Sequence, residues 1–164
     1  MWIIILSLTC IAAIGGYAGY VIIRKRPYYK FASVEVYFGD QEVNEKNNLA
    51  VHLGINAANT ICTKHFGFGA TTKGDNFKLR LKPPLYKKSY VAWGDQTYQA
   101  HTDIVAKTAY VGVQELPEQT ARLICHEFAH LILYKMIGDP IAKHGDVPGW
   151  ASFWADIDSP VHGL

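Results

Sequence analysis

The stretch PEQTARLICHEFAHLILYKMI, Pro117 to Ile137, closed by Gly138-Asp139-Pro140, decides how the rest of the chain is read. Proline at a first helical position gives up an N–H that has no helical partner there, and Glu118 suits the positive helix start. Gly138 and Pro140 end the run. The spacing predicts a helix over 117–137 with apolar flanks at Leu123, Ile124, Leu131, Ile132 and Leu133. Within it stand His126, Glu127 and His130, the pattern HExxH. Residues four apart share one helix face, so both imidazoles reach one ion, and Glu127 reaches a water beside it. An apolar helix gains nothing from such a polar stripe unless something satisfies it.

One zinc ion is the expected cofactor. It polarises a carbonyl and brings the pKa of a bound water near neutrality, with Glu127 as the general base. A catalytic zinc takes three protein ligands and keeps one position open. After His126 and His130, the best third ligand is His144, beyond the helix stop and next to Gly145. Asp146, Asp156 and Asp158 are the alternatives, with Asp139, His101 and His162 behind them.

Upstream of this helix, Ala32–Phe38 alternates and reads as a strand ended by Gly39-Asp40. Asn44–Phe66 reads as a helix that stops at Gly67. Phe77–Lys82 alternates strictly before Pro83-Pro84, Tyr90–Trp93 is a short strand candidate, and Ala109–Val113 is another. A last helical piece covers Trp150–Ile157. The class is α+β, with a small mixed sheet and two long helices.

Met1–Ile23 holds no Asp, Glu, Lys, Arg or His, and Arg24, Lys25, Arg26 and Lys30 follow. Trp2–Ile23 as a helix spans about 33 Å, enough for a hydrocarbon core. The expected organisation is a transmembrane anchor at 1–23, a basic juxtamembrane segment at 24–30 facing anionic lipid, and a metallopeptidase domain at 31–164. The basic flank places that domain in the cytoplasm by the positive-inside rule, while cleavage of the segment would make it periplasmic or secreted. Gly15 and Gly19 form a GxxxG spacing that permits a homodimer through this helix. Cys10, Cys62 and Cys125 are an odd, irregular set, which argues against a disulfide framework. Net charge is +2; the four basic residues at 24–30 carry +4, and the rest of the chain is slightly acidic. The stripe Lys78, Arg80, Lys82, Lys87 and Lys88 therefore reads as the solvent face of a strand region rather than as a nucleic-acid surface.

HExxH, a helix stop, His144-Gly145 and an aromatic stretch with Trp150, Phe153 and Trp154 together resemble the zincin metallopeptidases, of the SprT-like type or a small gluzincin-like relative. The resemblance covers roughly Leu116 to Ile157. A Gly-x-x-His at metzincin spacing is absent, and no Glu follows Glu127. The resemblance implies a zinc peptidase with three His ligands and a Glu base. It also implies that the strand before the active helix, Thr108–Val113, runs along an extended substrate. Tyr110 and Tyr134 are candidates for oxyanion stabilisation. The expected function is a membrane-anchored zinc endopeptidase with a protein or peptide substrate. The alternatives are a non-catalytic, membrane-tethered zinc-binding module and a secreted or periplasmic zinc hydrolase of cell-wall peptides.

Overall fold

The computed structural model describes residues 29–31, 33–67, 76–90, 94–138 and 150–159. Its elements are β1 (Tyr29–Phe31), β2 (Val34–Tyr37), α1 (Glu45–Phe66), β3 (Lys78–Lys82), β4 (Tyr86–Tyr90), β5 (Gly94–Tyr98), β6 (Ala100–Asp103), β7 (Thr108–Gly112), α2 (Pro117–Ile137) and α3 (Ala151–Ile157). Five strands form one mixed sheet in the order β1-β2-β3-β7-β6, with β4 and β5 as a separate hairpin. Strands β2, β3 and β7 run parallel, while β1 and β6 are antiparallel edge strands.

The strict alternation of Lys78-Leu79-Arg80-Leu81-Lys82 sends both leucines to one face. They join Val34, Val36, Ala109 and Val111 in a buried layer under the helices. α1 starts where the Asn44 side chain accepts from the Asn47 N–H at 2.9 Å, and it ends at Gly67. α2 starts at Pro117 and ends at Gly138, whose N–H donates to the Tyr134 carbonyl at 2.8 Å. At the crossing of the two long helices stands Gly54. A Cβ there would lie 2.6 Å from the Ala121 carbonyl oxygen and from Ile124 Cβ, so the two backbones approach closely. The α2 core face is continuous, with Ala121, Ile124, Cys125, Phe128, Ala129, Leu131, Ile132 and Leu133 all buried.

Several expectations change here. Among the described residues no helix is long and apolar enough to cross a membrane. The described fold is therefore α+β with three helices and a mixed sheet, without the transmembrane helix expected of it; residues 1–28 lie outside the described residues. The sheet is also larger than expected. Strand β1 begins at Tyr29, where the sequence reads as a basic linker, because Lys30 pairs in register with Glu35 of β2 and their side chains lie 3.6 Å apart. Of the strand expected at Tyr90–Trp93, Tyr90 is the last residue of β4 and pairs with Gly94 of β5, while residues 91–93 lie outside the described residues. Strand β6 takes the outer edge of β7. Thr108–Gly112 is thus an interior strand, and the edge beside α2 belongs to Ala100–Asp103.

Candidate metal centre

The short connection from β7 to α2 is fixed by the buried Thr120, whose hydroxyl accepts from the Gln114 N–H at 2.8 Å. That connection sets the height of α2 against the sheet. His126 and His130, one turn apart, then turn toward α3. Their Nε2 atoms lie 3.2 Å apart. A tetrahedral ion with Zn–N of about 2.0–2.1 Å needs its nitrogens about 3.3 Å apart, so the pair already has the separation that zinc requires.

A carboxylate on the far side of one ring orients it. His126 Nδ1 lies 2.9 Å from Asp158 Oδ1. With Nδ1 as the donor, the Nε2 lone pair is presented toward His130. The Trp154 ring packs against both imidazoles, with centroids 5.2 Å and 5.1 Å away. Trp154 and Asp158 are held there because α3 is pinned to the end of α1. Asp156 Oδ2 accepts from Lys64 Nζ at 2.6 Å and pairs with His65 Nε2 at 2.8 Å, while Phe153 packs on Phe66. The hydrogen bonds from Lys64 and His65 hold the Asp156 carboxyl below its usual range.

Glu127 is buried, at 7% exposure. Its Oε2 accepts from the Thr102 hydroxyl at 2.5 Å. Burial pushes its carboxyl pKa up, while the Thr102 hydrogen bond and the neighbouring His126 pull it the other way. Thr102 lies on β6, so the edge strand and the active helix meet at this carboxylate. A cavity of about 610 Å³ opens beside it, lined by Tyr98, Gln99, Arg122, His126, Glu127 and Asp158 among others.

The structure thus gathers His126, Glu127 and His130. His144 lies outside the described residues, as do Asp139, Asp146 and His162. No group of three or more metal-ligating side chains occurs among the described residues. Two of the alternative ligands serve other partners: Asp158 contacts the nitrogen of His126 that points away from His130, and Asp156 is bound to α1. His101 faces the opposite side of the sheet from Thr102. It stacks on Tyr110 with a centroid distance of 4.6 Å and sits 2.7 Å from the Tyr86 hydroxyl and 3.0 Å from Lys88 Nζ. Tyr110, on that far face, is remote from the His pair. Tyr134 stands one turn beyond His130 and is 43% exposed. In the basic stripe, Arg80 stacks over Tyr37 at 4.2 Å.

The sequence carries no signal for Thr102, a single hydroxyl on a polar edge strand. It offers Asp158 only as a ligand, because the position of α3 depends on contacts from distant α1. No family model, no curated protein and no solved structure matches this chain.

Proposed function

We propose that the protein is a zinc-dependent endopeptidase of the HExxH type. The observation that carries this reading is the 3.2 Å convergence of the His126 and His130 Nε2 atoms beside the buried Glu127 carboxylate. His126 and His130 would hold the ion with His144 as third ligand, and Asp158 would hold the His126 ring in place. Bound there, zinc supplies Lewis-acid polarisation of the scissile carbonyl and of a water.

The chain's own residues perform the proton transfers. Thr102 engages Glu127 Oε2, which leaves Oε1 to take a proton from the attacking water. As the water oxygen bonds to the carbonyl carbon and the C–N bond breaks, that proton passes to the departing amine. A carboxylate with a raised pKa is a better base for this step than an ordinary surface glutamate. Among the described residues the outer edge of β6 has no strand partner in the sheet, and an extended peptide can add to it by main-chain hydrogen bonds.

The test is metal analysis of the purified full chain together with turnover of a generic peptide library. About one zinc per chain, cleavage, and loss of cleavage with retention of zinc in Glu127→Gln are expected. Folded protein without zinc would overturn the reading. Zinc without Glu127-dependent cleavage would leave a binding module instead.

A further inference from the structure

The cavity beside Glu127 carries an uneven set of charges. Its lining carries two acidic side chains, Glu127 and Asp158, and one arginine, Arg122, besides the His126 ring. Both carboxylates are engaged, Glu127 by Thr102 and Asp158 by His126. Arg122 has no ion pair or hydrogen bond with any described residue. It lies four residues before His126, on the same helix face and about 6 Å along the axis. Apart from His126, the other polar side chains of the lining are the hydroxyls of Thr97 and Tyr98 and the neutral amides of Gln99, Gln114 and Gln119. Of these, Gln114 is already bonded to the Gly112 carbonyl at 2.9 Å.

An exposed guanidinium in the wall of this cleft, with no partner among the described residues, matches a carboxylate in fork-to-fork geometry. Successive residues of an extended peptide advance about 3.3 Å, so a carboxylate one or two residues from the scissile bond falls within reach of a group one helix turn away.

Resting on the peptidase reading, we propose that Arg122 is the specificity-determining residue of this cleft and that the preferred substrates are peptides with a carboxylate one or two residues from the cleaved bond. That carboxylate comes from an acidic side chain or from the peptide's own C-terminus. The two sources share the chemistry and differ in what the substrate must be. A side chain allows cleavage within a long chain, whereas a terminus restricts cleavage to chain ends.

The test measures binding, so that it does not depend on turnover. Rhodamine-labelled octapeptides of Ala and Leu carry one Glu, one Gln or one Lys at each position in turn, with either a free or an amidated C-terminus. Their affinity for the zinc-supplemented full-length Glu127→Gln protein is read by fluorescence anisotropy. At low ionic strength, binding about tenfold tighter is expected for Glu over Gln at one or two positions, or for the free acid over the amide. Which arm responds identifies the source of the carboxylate. The preference should shrink several-fold in 0.5 M salt. It should vanish in the Arg122→Gln/Glu127→Gln double variant, and Arg122→Glu should reverse it toward Lys-containing peptides. Both Arg122 variants should keep the zinc content of their parent.

Equal binding of charged and neutral members, a preference that survives Arg122→Gln, or no binding at all would overturn the assignment. The peptidase reading is read separately, from zinc content and wild-type cleavage. Cleavage without charge preference sinks only the role of Arg122. A carboxylate preference in a protein that neither retains zinc nor cleaves sinks the peptidase and with it the cleavage specificity, and leaves Arg122 as a carboxylate-binding residue only.

Discussion

The Thr102 hydroxyl lies 2.5 Å from Glu127 Oε2 and so ties the edge strand of the sheet to the one carboxylate of the HExxH turn. Under the proposed peptidase function, the strand whose outer edge would take a peptide is thereby coupled to the group that would handle the proton. Thr102→Val keeps the shape and removes the donor. We expect kcat to fall about 10- to 100-fold, about 1.4–2.7 kcal/mol of barrier, with zinc content and KM near wild type. The hydrogen bond lowers the Glu127 pKa, so its loss lets burial push that pKa higher. Because the base must be ionised, the acid limb of the pH–kcat profile should move to higher pH. Thr102→Ser should restore both. An unchanged acid limb in Thr102→Val would show that the hydroxyl is structural.

Asp158→Asn removes the charge that fixes the His126 tautomer while preserving shape. Zinc affinity should fall by about 10- to 100-fold, as measured by competition with a chromophoric chelator. The stability of the metal-free protein should change little, because the aspartate is exposed. Unaltered zinc affinity would mean that the ring is held by packing against Trp154 alone.

Gly54→Ala places a methyl group 2.6 Å from the Ala121 carbonyl oxygen and from Ile124 Cβ. The helices must part or the side chains must shift. A loss of about 1–3 kcal/mol in urea unfolding is expected. Since Ile124 is two residues from His126, zinc affinity should drop with it. Wild-type stability would show that the crossing yields more readily than its geometry indicates.

His101 sets a pH limit on stability. Burial of its ring, then the nearby Lys88 charge, lower its pKa from 6.5 to about 4. Between those values the unfolded chain binds a proton that the folded chain refuses. Stability is therefore full above pH 6.5, declines as pH falls toward 4, and is unaffected by this residue below that. The half-buried ring limits the effect to on the order of 1–2 kcal/mol. Denaturant titrations across that window should show the decline, and His101→Phe should flatten it. Lys88→Met should raise the His101 pKa in an NMR titration.

Local signals marked the parts of this fold that local physics governs. Asn44 and Gly67 bound α1, Pro117 and Gly138 bound α2, and the Lys/Leu alternation identifies β3, all visible in a few consecutive residues. The polar strand β6, which carries Thr102, has no apolar alternation, because an edge strand with one covered side needs little. The hairpin escaped because β5 is polar and exposed and the pair lies outside the main sheet. Of the site, the two histidines and the glutamate are legible through helical periodicity. Thr102 and the orienting role of Asp158 arise from pairings across about 25 to 90 positions in sequence, and the place of Arg122 in the cleft wall depends on Thr97–Ala100 lying beside α2, none of which a short window reports.

The tight α1–α2 crossing has a practical consequence. Cys62 of α1 and Cys125 of α2 are both fully buried, and burial pushes each thiol up to about 12. Such thiols stay protonated at neutral pH, out of reach of alkylating reagents, until the helices separate. With Cys10 replaced by serine, the labelling rate of this protein becomes a clock for that separation. Because Cys125 directly precedes His126, the clock runs at the candidate metal centre itself. Comparing its rate with and without zinc would measure, in a single tube and without a substrate, how firmly the metal locks the two helices together.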